Sequence, residues 1–157
     1  MHATYLNPVF DRKQQDKKIR EMMRILKDGD ITFDGFLVTG ISGISIGAIM
    51  ARSMRKELVV IRKGVYSDHH SGYSIENLGR GKSYIFLDDL VATGETVTRC
   101  KDAIDQFVED YAWGKEDKPK IIGQLLYNHI LQYRRGNPTK DSRMFQYNEN
   151  QLVKTEI

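Results

Sequence analysis

Cysteine is nearly absent from this chain: Cys100 stands alone. One thiol excludes an internal disulfide and any cysteine-built zinc cluster, and it is the usage expected in a reducing cytoplasm. No apolar run is long enough to cross a membrane as a helix. Residues 1–18, MHATYLNPVFDRKQQDKK, hold no apolar h-region, so no signal peptide is expected. A dominant charge is missing too. The 24 Lys and Arg residues stand against 21 Asp and Glu, a dispersed net excess of +3. That is too little to argue for nucleic acid, though it suits a small anionic ligand. Internal repeats are also lacking.

What remains is an ordinary globular composition, 40% apolar and 29% charged in 157 residues. The length fits a single domain over 1–157 with a sizeable core. Residues 12–28 read as an amphipathic helix with Ile19, Met22, Met23 and Leu26 on one face, stopped at Gly29. Phe36 to Thr39 reads as a short strand, Gly40-Ile41-Ser42-Gly43 as a turn, and residues 44–56 as a second helix. There Gly47 and Ala51 are small enough for close packing on a strand. Residues 57–63, ELVVIRK, read as a strand buried on both faces. Residues 64–82 carry four glycines and no clear period, so they read as a long functional loop. Then come a strand at YIFLDD, a helix from Thr96 to Asp110, a connector, and a strand over 121–128. Trp113 is expected to pack rather than bind.

Strand–helix–strand order implies a mostly parallel, twisted α/β sheet flanked by helices. Ligands of such sheets bind beyond the carboxyl ends of the strands. Three strand ends carry unusual chemistry: Thr39 to Gly43, Arg62-Lys63, and Asp88-Asp89 with the loop after it. In a parallel sheet these lie on one edge.

Backbone amides at a helix start suit a phosphate, Gly94 permits close approach, and the Thr93 and Thr96 hydroxyls add donors. The competing reading of Ala92-Thr93-Gly94-Glu95-Thr96 is a helix capped by Thr93. Asp88 and Asp89 suit a vicinal diol or a hydrated metal, against a solvated turn as the plain alternative. Gly40 to Gly43 fits neither a nucleotide P-loop nor a dinucleotide fingerprint, since no Gly-Lys-Ser/Thr follows. His69 and His70 have no partner pattern for a metal. Tyr127, His129, Tyr133, Arg134 and Arg135 fit a base pocket or a dimer face equally well.

A pair of acids for a diol and a loop for a phosphate together describe a ribose 5-phosphate. Residues 84–96, YIFLDDLVATGET, resemble the 5-phosphoribosyl-1-pyrophosphate (PRPP) signature of the type I phosphoribosyltransferases, particularly its form in adenine phosphoribosyltransferases. Phe36 to Lys63 resembles that family's first strand, pyrophosphate loop, helix and second strand. Arg62-Lys63 is similar to the pair that ends this strand in the orotate and adenine branches, and Asp68-His69 to a pair in the orotate flexible loop. Roughly residues 34–128 are covered. Two positions depart from the pattern. Glu95 replaces a loop glycine, and Val65-Tyr66-Ser67 stands where the orotate branch carries a further lysine.

The resemblance implies a type I phosphoribosyltransferase fold, with a core near 30–128 and a base-recognising hood from 1–30 and 124–157. It implies transfer of ribose 5-phosphate from PRPP to a purine or pyrimidine nitrogen, releasing pyrophosphate. Residues 92–96 would hold the 5-phosphate. Asp88 and Asp89 would hold the ribose hydroxyls directly or through Mg²⁺. Arg62, Lys63 and the amides of Gly40, Ile41, Ser42 and Gly43 would stabilise pyrophosphate, and His69 would touch substrate from the 64–82 loop. A cytoplasmic homodimer without nucleic-acid or membrane partners is also implied. Two alternatives are a non-catalytic PRPP or nucleotide sensor of the same fold, and a phosphohydrolase using Asp88 as nucleophile. Arg62-Lys63 supplies neither the acid nor the base that a phosphohydrolase needs.

Overall fold

The structure is a computed structural model that describes residues 10–62, 74–89, 94–111, 113–127 and 132–135. Helix α1 spans Arg12–Asp28. Asp11 caps it by accepting a hydrogen bond from the Gln14 amide at 2.9 Å. It ends at Gly29, and the residue that turns the chain is Asp30, at a φ of 48°. Strand β1 follows at Gly35–Thr39, α2 at Gly40–Met54, β2 at Glu57–Ile61, β3 at Ile75–Glu76 and β4 at Ser83–Asp88. Helix α3 covers Glu95–Asp110, β5 Lys120–Leu126 and β6 Gln132–Arg135.

The strands form one sheet in the order β3-β2-β1-β4-β5-β6. The four inner strands run parallel, with Thr39 opposite Ile61, Val38 opposite Leu87, and Asp88 opposite Leu126. Both outer strands are antiparallel to their neighbours. The α/β architecture expected from the element order is therefore observed. The carboxyl ends of β1, β2, β4 and β5 share one edge.

Alternation along the strands divides the core between two faces. Phe36, Val38, Ile85, Leu87 and Leu125 pack under α1 and α2, against Ile19, Met22, Leu26, Ile46 and Met50. Leu37, Val59, Ile61, Tyr84 and Phe86 pack under α3, against Val97, Cys100 and Ile104. Gly47 lies against β1: a Cβ there would come within 2.6 Å of Val38. This is the close helix–strand packing expected of it. Trp113 packs edge-on against Phe107.

Several boundaries differ from the sequence expectations. Residues 40–43 form the first turn of α2 rather than a separate turn. The described part of 64–82 contains β3, which is too short to show a period. Strand β2 is not buried on both faces. Val59 and Ile61 are buried under α3, but Leu58 and Val60 are only half-covered. It lies next to a two-residue edge strand, and α2 shelters only part of its other face. Strand β6 had no alternating apolar pattern to announce it.

Candidate active site

Asp88 is the last residue of β4 and is 5% exposed. Its Oδ1 accepts from the Ser42 hydroxyl at 2.7 Å and from the Asp89 amide at 2.9 Å. Burial pushes its pKa up to about 6, against the lowering effect of those two donors. A carboxyl held in this way is costly to ionise without a ligand. Asp89 follows at the strand tip and is half-buried.

Ser42 belongs to the first turn of α2. Its amide is the group expected to face pyrophosphate, and its hydroxyl binds Asp88. The same turn carries exposed Ile41, and Gly43 pressed against β4. A Cβ on Gly43 would meet the Leu87 carbonyl at 2.9 Å. Gly40 enters the helix in the left-handed region, with φ 65°. The first amides of the turn have no acceptor within the helix.

Arg62 directly follows β2. It pairs with Glu76 of β3 at 2.6 Å, while its backbone amide donates to the Ser74 carbonyl at 2.8 Å. The arginine proposed for pyrophosphate is thus partnered by an acid that the sequence did not single out. Its own strand is held at the tip, where the Thr39 hydroxyl donates to the Ile61 carbonyl at 2.8 Å.

At the start of α3 the helix cap is Gly94, with φ 80° and no side-chain cap bond. A left-handed residue here favours glycine. Glu95 is exposed in the first turn, and half-buried Thr96 accepts a 3.4 Å contact from Arg99. Lys63, His69, Ala92 and Thr93 lie outside the described residues.

The structure therefore brings Asp88 into direct contact with the 40–43 turn, with Asp89 bonded beside it. Arg62 and Gly94 to Thr96 stand at the same edge of the sheet. Sequence reasoning left one contributor undecided and missed another. Tyr127, just past β5, is buried, and its hydroxyl donates to the Ser42 carbonyl at 2.5 Å. Lys18 of α1 donates to the Tyr127 carbonyl at 2.8 Å. Burial lowers the Lys18 pKa from its ordinary value, despite nearby Glu21. Tyr127 could have been placed at this edge because it ends a parallel strand, but no local signal marks Lys18.

Adjacent carboxylates at a strand tip suit an ion that keeps water and ligand phosphates in its shell, as Mg²⁺ does. They do not suit an ion needing an all-protein cage. Among the described residues no group of three or more His, Cys, Asp or Glu could hold a metal. No described helix is long and apolar enough to cross a membrane.

No family model matches the chain. A hypoxanthine/guanine phosphoribosyltransferase of Methanopyrus kandleri is 26% identical over 117 residues, covering 64% of this chain and 63% of that protein. Its namesake from Methanothrix thermoacetophila is 27% identical over 116 residues, covering 64% and 61%. The chain thus spans less than two thirds of the length of these curated relatives. Among solved structures, UMP synthase of Leishmania donovani superposes with a TM-score of 0.55 at 18% identity, covering 75% of this chain and 23% of that one. Adenine phosphoribosyltransferase of Leishmania donovani gives 0.50 at 13% identity, covering 77% and 67%. The likeness read from residues 84–96 is borne out by these relatives, and the fold is shared with the superposed structures.

Proposed function

We propose that this chain, whose resemblance is to the type I phosphoribosyltransferases, transfers ribose 5-phosphate from PRPP to a nitrogenous base and releases pyrophosphate. The observation that carries this reading is buried Asp88 at a parallel strand tip, bonded to the first turn of the preceding helix. That contact joins a diol-binding acid to an anion-binding turn. The names of the curated relatives make a 6-oxopurine the first acceptor to test. No finding favours the sensor alternative.

In this reading the work is positional and electrostatic. Residues 92–96 hold the 5-phosphate through hydroxyls and the amides at the start of α3. Exposed Glu95 stands in the same first turn, where its charge opposes that group. Asp88 and Asp89 accept from the ribose hydroxyls and would hold Mg²⁺. When bound, the ion offsets charge on the departing pyrophosphate. The 40–43 amides, Arg62 and Lys63 steady the same leaving group, with Arg62 exchanging Glu76 for phosphate oxygens. Positive charge developing at the anomeric carbon faces the two carboxylates, as in glycoside chemistry. His69 and the rest of the 64–82 segment would touch substrate and exclude water. We also infer a cytoplasmic homodimer, on the family resemblance and the lone buried Cys100.

The test is incubation with PRPP, Mg²⁺ and a panel of purine and pyrimidine bases, with products read by mass spectrometry. A nucleoside 5′-monophosphate is expected. Absence of product together with stabilisation by PRPP would point to a sensor. Absence of both would remove the ribose-phosphate reading.

A further inference from the structure

The site has two halves, one for pyrophosphate on α2 and one for ribose on β4. The Ser42–Asp88 bond joins them directly, and a residue outside both halves adds a second tie. Tyr127 touches both. Its hydroxyl donates to the Ser42 carbonyl at 2.5 Å, and its amide donates to the Asp88 carbonyl at 3.2 Å. Its own carbonyl accepts from Lys18 at 2.8 Å. The Ser42 side chain closes the circuit on Asp88 Oδ1 at 2.7 Å. The peptide unit is planar, so holding the Ser42 carbonyl fixes the orientation of the turn around it. Tyr127 is 1% exposed, so water does not replace its hydroxyl at this carbonyl without repacking.

We propose that Tyr127, anchored by Lys18, is a positioning residue that locks the first turn of α2 to the tip of β4 and so sets the pyrophosphate half of the site. It touches no reacting atom and acts through Ser42. The inference rests on the phosphoribosyltransferase reading above. It adds a role for α1 and the end of β5, neither of which carries a recognisable signature.

The test is calorimetry on the full chain with pyrophosphate and with ribose 5-phosphate, each with Mg²⁺, for the wild type and Tyr127→Phe. Phenylalanine keeps the ring and removes only the donor. We expect pyrophosphate affinity to fall roughly five- to tenfold, the range one such hydrogen bond supports. Ribose 5-phosphate affinity should change by less than about twofold, because its phosphate sits at α3 and its strand is unaltered. The KM for PRPP should rise with the KM for the base unchanged. Unchanged pyrophosphate affinity would overturn the proposal. So would an equal loss for both ligands accompanied by a lower Tm, since that is general loosening. If Tyr127→Phe fails to fold, Lys18→Met decides: selective loss of pyrophosphate affinity supports the role, and no change overturns it. Wild-type protein that binds neither ligand would instead refute the reading of the site itself.

Discussion

At the amino-terminal edge of the sheet, Asp34 is exposed and accepts three hydrogen bonds at 2.8 Å each, from the Lys82 amide, the Ser83 amide and the Ser83 hydroxyl. At the carboxyl-terminal edge, Asp88 is buried and its pKa is raised. Asp34 moves the other way. The Ser83 hydroxyl, then the Lys82 amide, holds it below the usual carboxylate range. The neighbours of Asp34 are equally well partnered. Tyr84 donates to Glu57 at 2.6 Å, and burial raises its pKa well above the ordinary phenol value. One edge ties β1, β2 and β4 together with satisfied groups. The other keeps a carboxyl in an environment that opposes its charge, a cost that a ligand can relieve. On the proposed function, stability and binding are thus separated by the length of a strand.

The sharpest way to break this contrast is to neutralise the acids. Asp88→Asn plus Asp89→Asn should abolish PRPP binding, with an affinity loss beyond about a hundredfold by calorimetry. Asp88→Asn alone should stabilise the fold at pH 7. The sign follows from linkage. A carboxyl whose folded pKa lies near 6, against 3.8 in the unfolded chain, favours its protonated form in the fold. Stability therefore falls as pH rises from about 4 to 6 and is level above that. Removing the charge should recover on the order of 2 kcal/mol at pH 7, read as a higher midpoint in urea. A variant that loses both binding and stability would show that Asp88 supports the fold.

The same proton sets a pH dependence for binding. Metal or diol needs the ionised carboxylate, so PRPP affinity should fall by roughly tenfold per pH unit below about 6. Asp34 has the opposite consequence. Its lowered pKa contributes stability above pH 4, and that contribution is lost as pH falls through the folded value. Asp34→Ala should cost about 1 kcal/mol at pH 7, discounted for its exposure, and leave PRPP affinity unchanged. Loss of affinity in this variant would dissolve the division between the two edges.

Much of the arrangement was legible in the chain itself. The apolar runs at 36–39, 57–61 and 84–87, alternating with helical periods, announced a parallel sheet and hence a common edge for Thr39, Arg62 and Asp88. The acids and the Thr-Gly-x-Thr loop are the basis of the proposed ribose 5-phosphate ligand, because few other groups ask for both. What escaped notice depends on contacts between distant residues. The Ser42–Asp88 bond spans 46 positions and the Lys18–Tyr127 bond 109. Neither leaves a local period or spacing. Glu76 was hidden for another reason: two residues pairing with β2 are too few to read as a strand. Residues 40–43 read as a turn because their glycines suggest one, yet the helix begins within them.

The smallest expected effect concerns Glu95. It stands in the first turn of α3, where the signature that residues 84–96 resemble carries a glycine, and is exposed. An acid there interacts well with the helix's own amino-terminal dipole, by about 0.3–1 kcal/mol at a surface position. The same charge opposes a phosphate arriving at those amides. Glu95→Gln preserves the chain length and removes the charge, so the two effects should separate. Stability should drop by a few tenths of a kcal/mol, read by urea unfolding. Ribose 5-phosphate affinity should rise by about two- to threefold at low salt, and the gain should shrink as ionic strength increases. A gain that persists at high salt would mean that Glu95 obstructs the phosphate by its shape rather than its charge. No gain at all would mean its carboxylate points far enough from the 5-phosphate to be electrostatically silent.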